Sequence, residues 1–284
     1  MSFTTFITPA ELEMNLNDPD WVIVDCRFDL MKPDWGYAAY QAAHIPGAIY
    51  AHMDHDLSGP LTPQSGRHPL PDPHHFIETL GNWGIDSSKQ VVVVDSAAGS
   101  FAARLWWMLR QLNQTAVAVL EGGFPRWGYE NRPVRSGIEK NSSVQCDLTG
   151  TFHRFLSSDQ MASIINDPTW RIIDARALER YRGEQEPIDP VAGHIPSAVN
   201  RPHTANLASG GHFLPAGELR SQFLSLLGGI PPERTVVYCG SGVTSCFHLI
   251  AMEIAGLPGG WLYAGSWSEW IRDPNRPIHT GNQP

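Results

Sequence analysis

Apolar residues in this chain come in short unbroken runs. "WVIVD" (21–25), "QVVVV" (90–94), "RIID" (171–174) and "TVVY" (235–238) are rich in β-branched side chains and show no alternation with polar residues. Runs of that length predict strands buried on both faces, as in a parallel sheet. Longer stretches with helical spacing follow them. "FAARLWWMLRQL" (101–112) and "SCFHLIAMEIAG" (245–256) each come just after such a run. Strand followed by helix, repeated along the chain, predicts an α/β fold with mainly parallel sheets flanked by helices.

The pattern is written twice. "WVIVDCR" (21–27) returns as "WRIIDAR" (170–176), and "AHIPGAIY" (43–50) as "GHIPSAVN" (193–200). "QVVVVDSAAGS" (90–100) matches "RTVVYCGSGVT" (234–244), and "LEGGFPRW" (120–127) echoes "YAGSWSEW" (263–270). The order is the same in both copies, and each recurrence lies 143 to 150 residues downstream. Such a period marks a duplicated domain. Both copies open on a helix start signal: Thr8-Pro9-Ala10-Glu11 offers an N-cap, a first-turn proline and a capping-box glutamate, and Ser157 to Gln160 offers similar chemistry. The stretch between them is polar and poorly periodic. The expected organisation is a first domain over residues 1–140, a linker over 141–155 and a second domain over 156–284.

Composition narrows the function classes. The formal net charge is -9 over 284 residues. Such a surface does not attract nucleic acid or an anionic membrane, so an anionic substrate would need specific arginines. No apolar run approaches membrane-spanning length, and the first residues lack the basic and apolar regions of a signal peptide. The four cysteines, Cys26, Cys146, Cys239 and Cys246, show no CxxC spacing. Reduced thiols in a cytoplasmic protein are the expectation.

The chemistry concentrates in "YCGSGVTSC" (238–246). Cys239 ends a predicted central strand, and the turn after it leads into a helix, where open α/β sheets place their sites. Gly240 and Gly242 relax the backbone, so that successive amides can converge on one point. Those donors and the helix N-terminus favour negative charge, which lowers a thiol pKa. Cys239 is therefore the candidate nucleophile, and the backbone of Gly240, Ser241, Gly242, Val243 and Thr244 the candidate anion cradle. The plainer alternative is a buried structural cysteine. In the first copy the equivalent position is Asp95, which cannot accept sulfur, so that half is expected to be catalytically silent.

Other readings of the loop fail on named positions. A cysteine phosphatase needs an arginine six residues after the nucleophile, and that residue is Ser245. A dinucleotide loop lacks its final glycine, and a phosphate-binding P-loop lacks Gly-Lys-Ser/Thr. The histidines at 52, 55, 74 and 75 do not form a four-ligand set. A non-catalytic binding module or a persulfide carrier is the rival from a different class, and the intact cysteine loop opposes the former. Cys246 is either a small buried helix residue or a redox partner of Cys239.

The paired "DCR…HIPGA" and "DAR…HIPSA" segments and the terminal "YAGSWSEW" resemble the two-domain rhodanese-like sulfurtransferases over nearly the whole chain. The loop "CGSGVT" is similar to the version found in enzymes that use 3-mercaptopyruvate; thiosulfate-preferring members carry basic residues there. The resemblance implies tandem rhodanese-like domains and a ping-pong reaction through a Cys239 persulfide, with no metal or organic cofactor. It implies a small anionic sulfur donor, and cyanide, a small thiol or thioredoxin as acceptor. The active site would lie in the second domain, facing the first. It also implies that Ser241 relays a proton, assisted by a histidine and an aspartate that fall on His44 and Asp34. A histidine recurs at His194, and only one of the two copies carries the nucleophile, so a scaffold role for His44 stands beside the catalytic one. Arg180 matches one donor-binding arginine of the family. The second family arginine is expected where this chain has Ile188, leaving Arg182 or another group to substitute and thiosulfate open as a donor.

Overall fold

The computed structural model describes residues 2–283, which fall into two compact units. Unit 1 comprises residues 1–59, 70–153 and 210–212, and unit 2 comprises 60–69, 154–209 and 213–284. Residues 141–153 of the segment expected as a linker lie with unit 1, and residues 154–155 with unit 2. Val144 donates its amide to the Gly81 carbonyl, and Asp147 accepts from the amide and hydroxyl of Ser87. Conversely, the ten residues from Pro60 to Pro69 leave the first domain's sequence and join unit 2.

Unit 1 holds a five-stranded sheet built from β1 (Phe6–Ile7), β2 (Trp21–Asp25), β3 (Ile49–Tyr50), β4 (Gln90–Val94) and β5 (Val117–Leu120), in the order β1-β5-β4-β2-β3. Unit 2 repeats it with β6 (Phe155–Leu156), β7 (Arg171–Asp174), β8 (Ala198–Asn200), β9 (Thr235–Tyr238) and β10 (Trp261–Tyr263), in the order β6-β10-β9-β7-β8. Every pairing is parallel. Parallel strands need covering on both faces, and the central strands β4 and β9 are buried at every residue, which is why they read as unbroken apolar runs. Helices Ala102–Gln111 and Ser245–Ile254 pack on these central strands. Both expected capping boxes form, Thr8 with Glu11 and Ser157 with Gln160. No helix of the described residues is long and apolar enough to cross a membrane.

The repeated Asp-x-Arg…His-Ile-Pro segments prove to be a structural clamp. Arg27 grips Asp25 with two nitrogens and donates to the Ala43 carbonyl at 2.6 Å; Arg176 does the same with Asp174 and the Gly193 carbonyl, also at 2.6 Å. Each guanidinium also lies over an aromatic ring, Phe124 for Arg27 and Trp267 for Arg176. The arginine thereby ties the end of a strand to the residue before the histidine. Trp267 and Trp270 are fully buried, and Trp106 and Trp107 nearly so, as core residues.

Candidate active site

The second copy's central strand β9 ends at Tyr238, and Cys239 begins the turn, 2% exposed. The turn needs glycine at position 242. Its φ is +79°, and a Cβ there would lie 2.1 Å from the Ala264 carbonyl oxygen. The short helix Ser266–Trp270 braces the loop from outside. Trp267 donates its amide to the Cys239 carbonyl at 3.0 Å, Ser268 donates to Gly240 at 2.9 Å, and the Cys239 amide donates to Ser266 Oγ at 3.1 Å. These bonds use up the outward-facing backbone groups and hold the loop in one shape.

Burial alone would raise the Cys239 pKa. The Thr244 and Ser245 hydroxyls and the Ser241 and Ser245 amides close to the sulfur favour its charged form, outweigh burial and hold the thiol below its usual value. Cys26 shows what happens without such donors. It is equally deep in unit 1, and burial, with Asp25, Asp95 and Asp56 nearby, pushes its thiol far up. The first copy also shows what the cradle prefers. There Asp95 turns its carboxylate into its own loop and accepts the amides of Ala97, Gly99, Phe101 and Ala102 at 2.7 to 2.9 Å. The turn is built to hold an anion. In unit 1 the position holds the Asp95 carboxylate; in unit 2 it holds the Cys239 sulfur.

The rhodanese-like domain family matches residues 8–130 and again 157–273. The chain belongs to that family. It is 44% identical over 99% of its length, and the whole of the relative, to the "Probable 3-mercaptopyruvate sulfurtransferase" of Pseudomonas aeruginosa. It is 33% identical, over 95% of this chain and 76% of the relative, to the "Thiosulfate/3-mercaptopyruvate sulfurtransferase 1, mitochondrial" of Arabidopsis thaliana. Among solved structures, the "3-mercaptopyruvate sulfurtransferase from Leishmania major" superposes with a TM-score of 0.83 at 30% identity, covering 95% of this chain and 76% of that one. This rhodanese-like protein is a sulfurtransferase, with its cysteine loop in the second domain.

Around Cys239 the rhodanese-like fold of unit 2 gathers some of the expected residues and substitutes others. Ser241 is buried, and its Oγ lies 2.7 Å from Nδ1 of a histidine, but that histidine is His68. His44 sits in unit 1, fully buried, with Nδ1 2.8 Å from the Tyr40 carbonyl and its ring stacked on Tyr40 at 4.3 Å. His194 does the same with Tyr181, at 2.7 Å and 3.7 Å. The histidine of His-Ile-Pro thus makes the same carbonyl and ring contacts in both copies, and His44 makes them within unit 1. Asp34 is exposed and stands at the start of the helix Trp35–Ala42 in unit 1, without a capping bond from its side chain.

Arg180 is beside the loop. Its Nη1 and Nη2 lie 3.6 Å from where a Cβ of Gly240 would stand, and it is held by Glu186 and Asp189. Arg182 turns elsewhere, to Asn282 and, at 3.8 Å, Glu184. Cys246 directs its thiol at the Gly242 carbonyl, 3.4 Å away. The residues that sequence reasoning missed, Arg67 and His68, arrive on the 60–69 segment. A signal for them does exist. "SGRHPLP" (65–71) recurs as "SGGHFLP" (209–215), so the segment belongs to the repeat, and Arg67 marks where the copies differ.

Proposed function

We propose that this enzyme moves sulfur from 3-mercaptopyruvate to a thiophilic acceptor through a persulfide on Cys239. The observation that carries the reading is a thiol held below its usual pKa in an amide cradle, with a hydroxyl–imidazole pair, Ser241 and His68, at 2.7 Å beside it. Relatives named for 3-mercaptopyruvate along the full chain support that donor. Cys239 Sγ attacks the donor sulfur. The carbon–sulfur bond breaks, and its electron pair goes to carbon as the enolate of pyruvate. The proton of the donor thiol travels through Ser241 Oγ and His68 to that carbon, giving pyruvate and a persulfide anion. The cradle amides of Gly240 to Thr244 stabilise this anion as the Asp95 carboxylate is stabilised in the first copy. Cyanide, a small thiol or thioredoxin then attacks the outer sulfur, and the electron pair of the sulfur–sulfur bond returns to Cys239. No metal or organic cofactor enters this sequence. A reducing cytoplasm, which keeps the acceptor and Cys239 as thiols, suits it.

Intact-protein mass spectrometry after mixing with 3-mercaptopyruvate is the direct test. Wild type should gain the mass of one sulfur atom and lose it on addition of cyanide, while Cys239→Ser should gain none. His68→Gln should lower kcat by about 100-fold, the worth of a positioned acid–base group. A persulfide on Cys239→Ser, or full activity in His68→Gln, would overturn the corresponding step.

A further inference from the structure

Unit 1 carries a cavity of about 300 Å³ that the sulfur chemistry does not use. Tyr37, Tyr40, Tyr50 and Trp83 line it, together with Glu139 and Lys140. Three of the rings form one cluster. The centroids of Tyr37 and Tyr50 lie 5.3 Å apart, those of Tyr40 and Tyr50 5.5 Å, and those of Tyr37 and Tyr40 6.4 Å. Two of the hydroxyls are engaged with the backbone. Tyr40 donates to the Ala48 carbonyl at 2.8 Å and accepts the Glu139 amide at 3.0 Å, and Tyr50 donates to the Arg27 carbonyl at 3.0 Å. Their rings, rather than their hydroxyls, are therefore left for a ligand.

The fold does not require these aromatics. The second copy keeps Tyr181 where the first has Tyr40, each stacked on its own histidine. The other three positions differ. Leu178 stands three residues before Tyr181, as Tyr37 stands before Tyr40; Asn200 pairs with Asp174 as Tyr50 pairs with Asp25; and Gly228 precedes a Gly-Ile as Trp83 does. Unit 2 forms the same five-stranded sheet without them. Tyr37 is 39% exposed, and Tyr50 and Trp83 are half-buried. A partly exposed aromatic cluster that packing does not demand reads as a binding surface. The cavity also carries one charge of each sign. Glu139 Oε1 accepts from the Gly47 amide at 3.3 Å and from Arg135 at 3.2 Å, while its Oε2 has no partner among the described residues. Lys140 is exposed and makes no ion pair among the described residues.

We propose that this cavity binds a small zwitterion of the betaine class, its alkylated ammonium group held against the Tyr37, Tyr50 and Trp83 rings beside Glu139 and its carboxylate met by Lys140. A quaternary ammonium has no N–H to donate, so ring faces attract it without the acceptors that a primary amine would need. The free Glu139 oxygen adds the opposite charge at a partly desolvated position, where the attraction is stronger than in water. The volume is at the small end of ligand pockets, which suits a compact zwitterion. Nothing in this binding involves Cys239, so it is independent of the sulfur-transfer reading.

Isothermal titration calorimetry on the full chain would compare trimethylglycine, choline and 3,3-dimethylbutanoate. Trimethylglycine should bind once per chain with a Kd of about 1 mM or tighter, the scale of a few cation–ring contacts. 3,3-Dimethylbutanoate has the same shape and carboxylate but carbon in place of the charged nitrogen, and should bind at least about tenfold more weakly. Choline lacks the carboxylate and should bind more weakly by about threefold or more. Tyr37→Leu and Tyr50→Asn each introduce the second copy's residue and should weaken trimethylglycine binding by about 3- to 30-fold, and Glu139→Gln by about 3- to 10-fold. Near-wild-type melting temperatures establish that the variants are folded; Tyr37→Leu, at the most exposed of the three aromatic positions, carries the test if Tyr50→Asn fails that control. No saturable heat up to about 10 mM trimethylglycine overturns the inference. So does equal affinity for 3,3-dimethylbutanoate or for choline, or unchanged affinity in folded Tyr37→Leu or Glu139→Gln.

Discussion

At the scale of single residues, the site depends on a contest between burial and hydrogen bonding at one sulfur. Burial favours the thiol, while the Thr244 and Ser245 hydroxyls and the loop amides favour the thiolate and prevail. Because the Cys239 pKa is lowered, the reactive form persists below the ordinary thiol range, and activity falls only as pH drops through the depressed value. Thr244→Val removes one donor, so the acid limb of kcat/KM for persulfide formation should move to higher pH by about half a unit to one unit. A limb that stays put would show that the amides alone set the pKa. Cys239 itself was legible in the sequence, because glycines beside a strand-ending cysteine have one common physical use. The histidine that meets Ser241 was not. His44 and His68 are both histidines near a proline in the first half, and only the contact with Ser241 separates them.

At the scale of elements, the same strand–turn–helix unit is used twice with opposite results. In the first copy the Asp95 carboxylate satisfies four amides of its own loop. Asp95→Ala strands these donors in a buried turn, and chemical denaturation should show a loss of about 2–5 kcal/mol. The Arg–Asp and His–carbonyl clamps are likewise structural. His44→Gln should therefore lower stability by about 1–3 kcal/mol, with kcat/KM per folded molecule within about threefold of wild type. A large kinetic loss at full stability would favour the catalytic role that the family resemblance implies. The strands and capping boxes were readable because buried parallel strands and helix starts impose local residue patterns. The clamp was visible only as a repeat, since its bonds join residues 16 and 17 apart in sequence.

At the scale of the whole molecule, the two units do not coincide with the two halves of the sequence. Residues 60–69 belong to unit 2, and residues 210–212 of the second half belong to unit 1. The first segment delivers Arg67 and His68 to the cysteine loop. Replacing it with a glycine–serine stretch of equal length should leave the unit 1 sheet folded and reduce kcat/KM for 3-mercaptopyruvate by about 100-fold or more, since the imidazole proposed to act with Ser241 is lost. Circular dichroism and steady-state rates on the same preparation would check this, and retained activity would make the segment a mere connector. The amino-acid sequence by itself determined the duplication, the parallel α/β sheets, and the places of Cys239 and Asp95 at the ends of the two central strands. Each of these is written in contiguous residues whose chemistry has few alternatives. Only the tertiary structure decided that His68 faces Ser241 and that Arg67 meets Asp189 beside Gly240. Those are meetings between segments more than a hundred residues apart, for Arg67 with Asp189 and His68 with Ser241. Nothing in the spacing of a chain fixes such a meeting until the sheets have formed and brought their loops together.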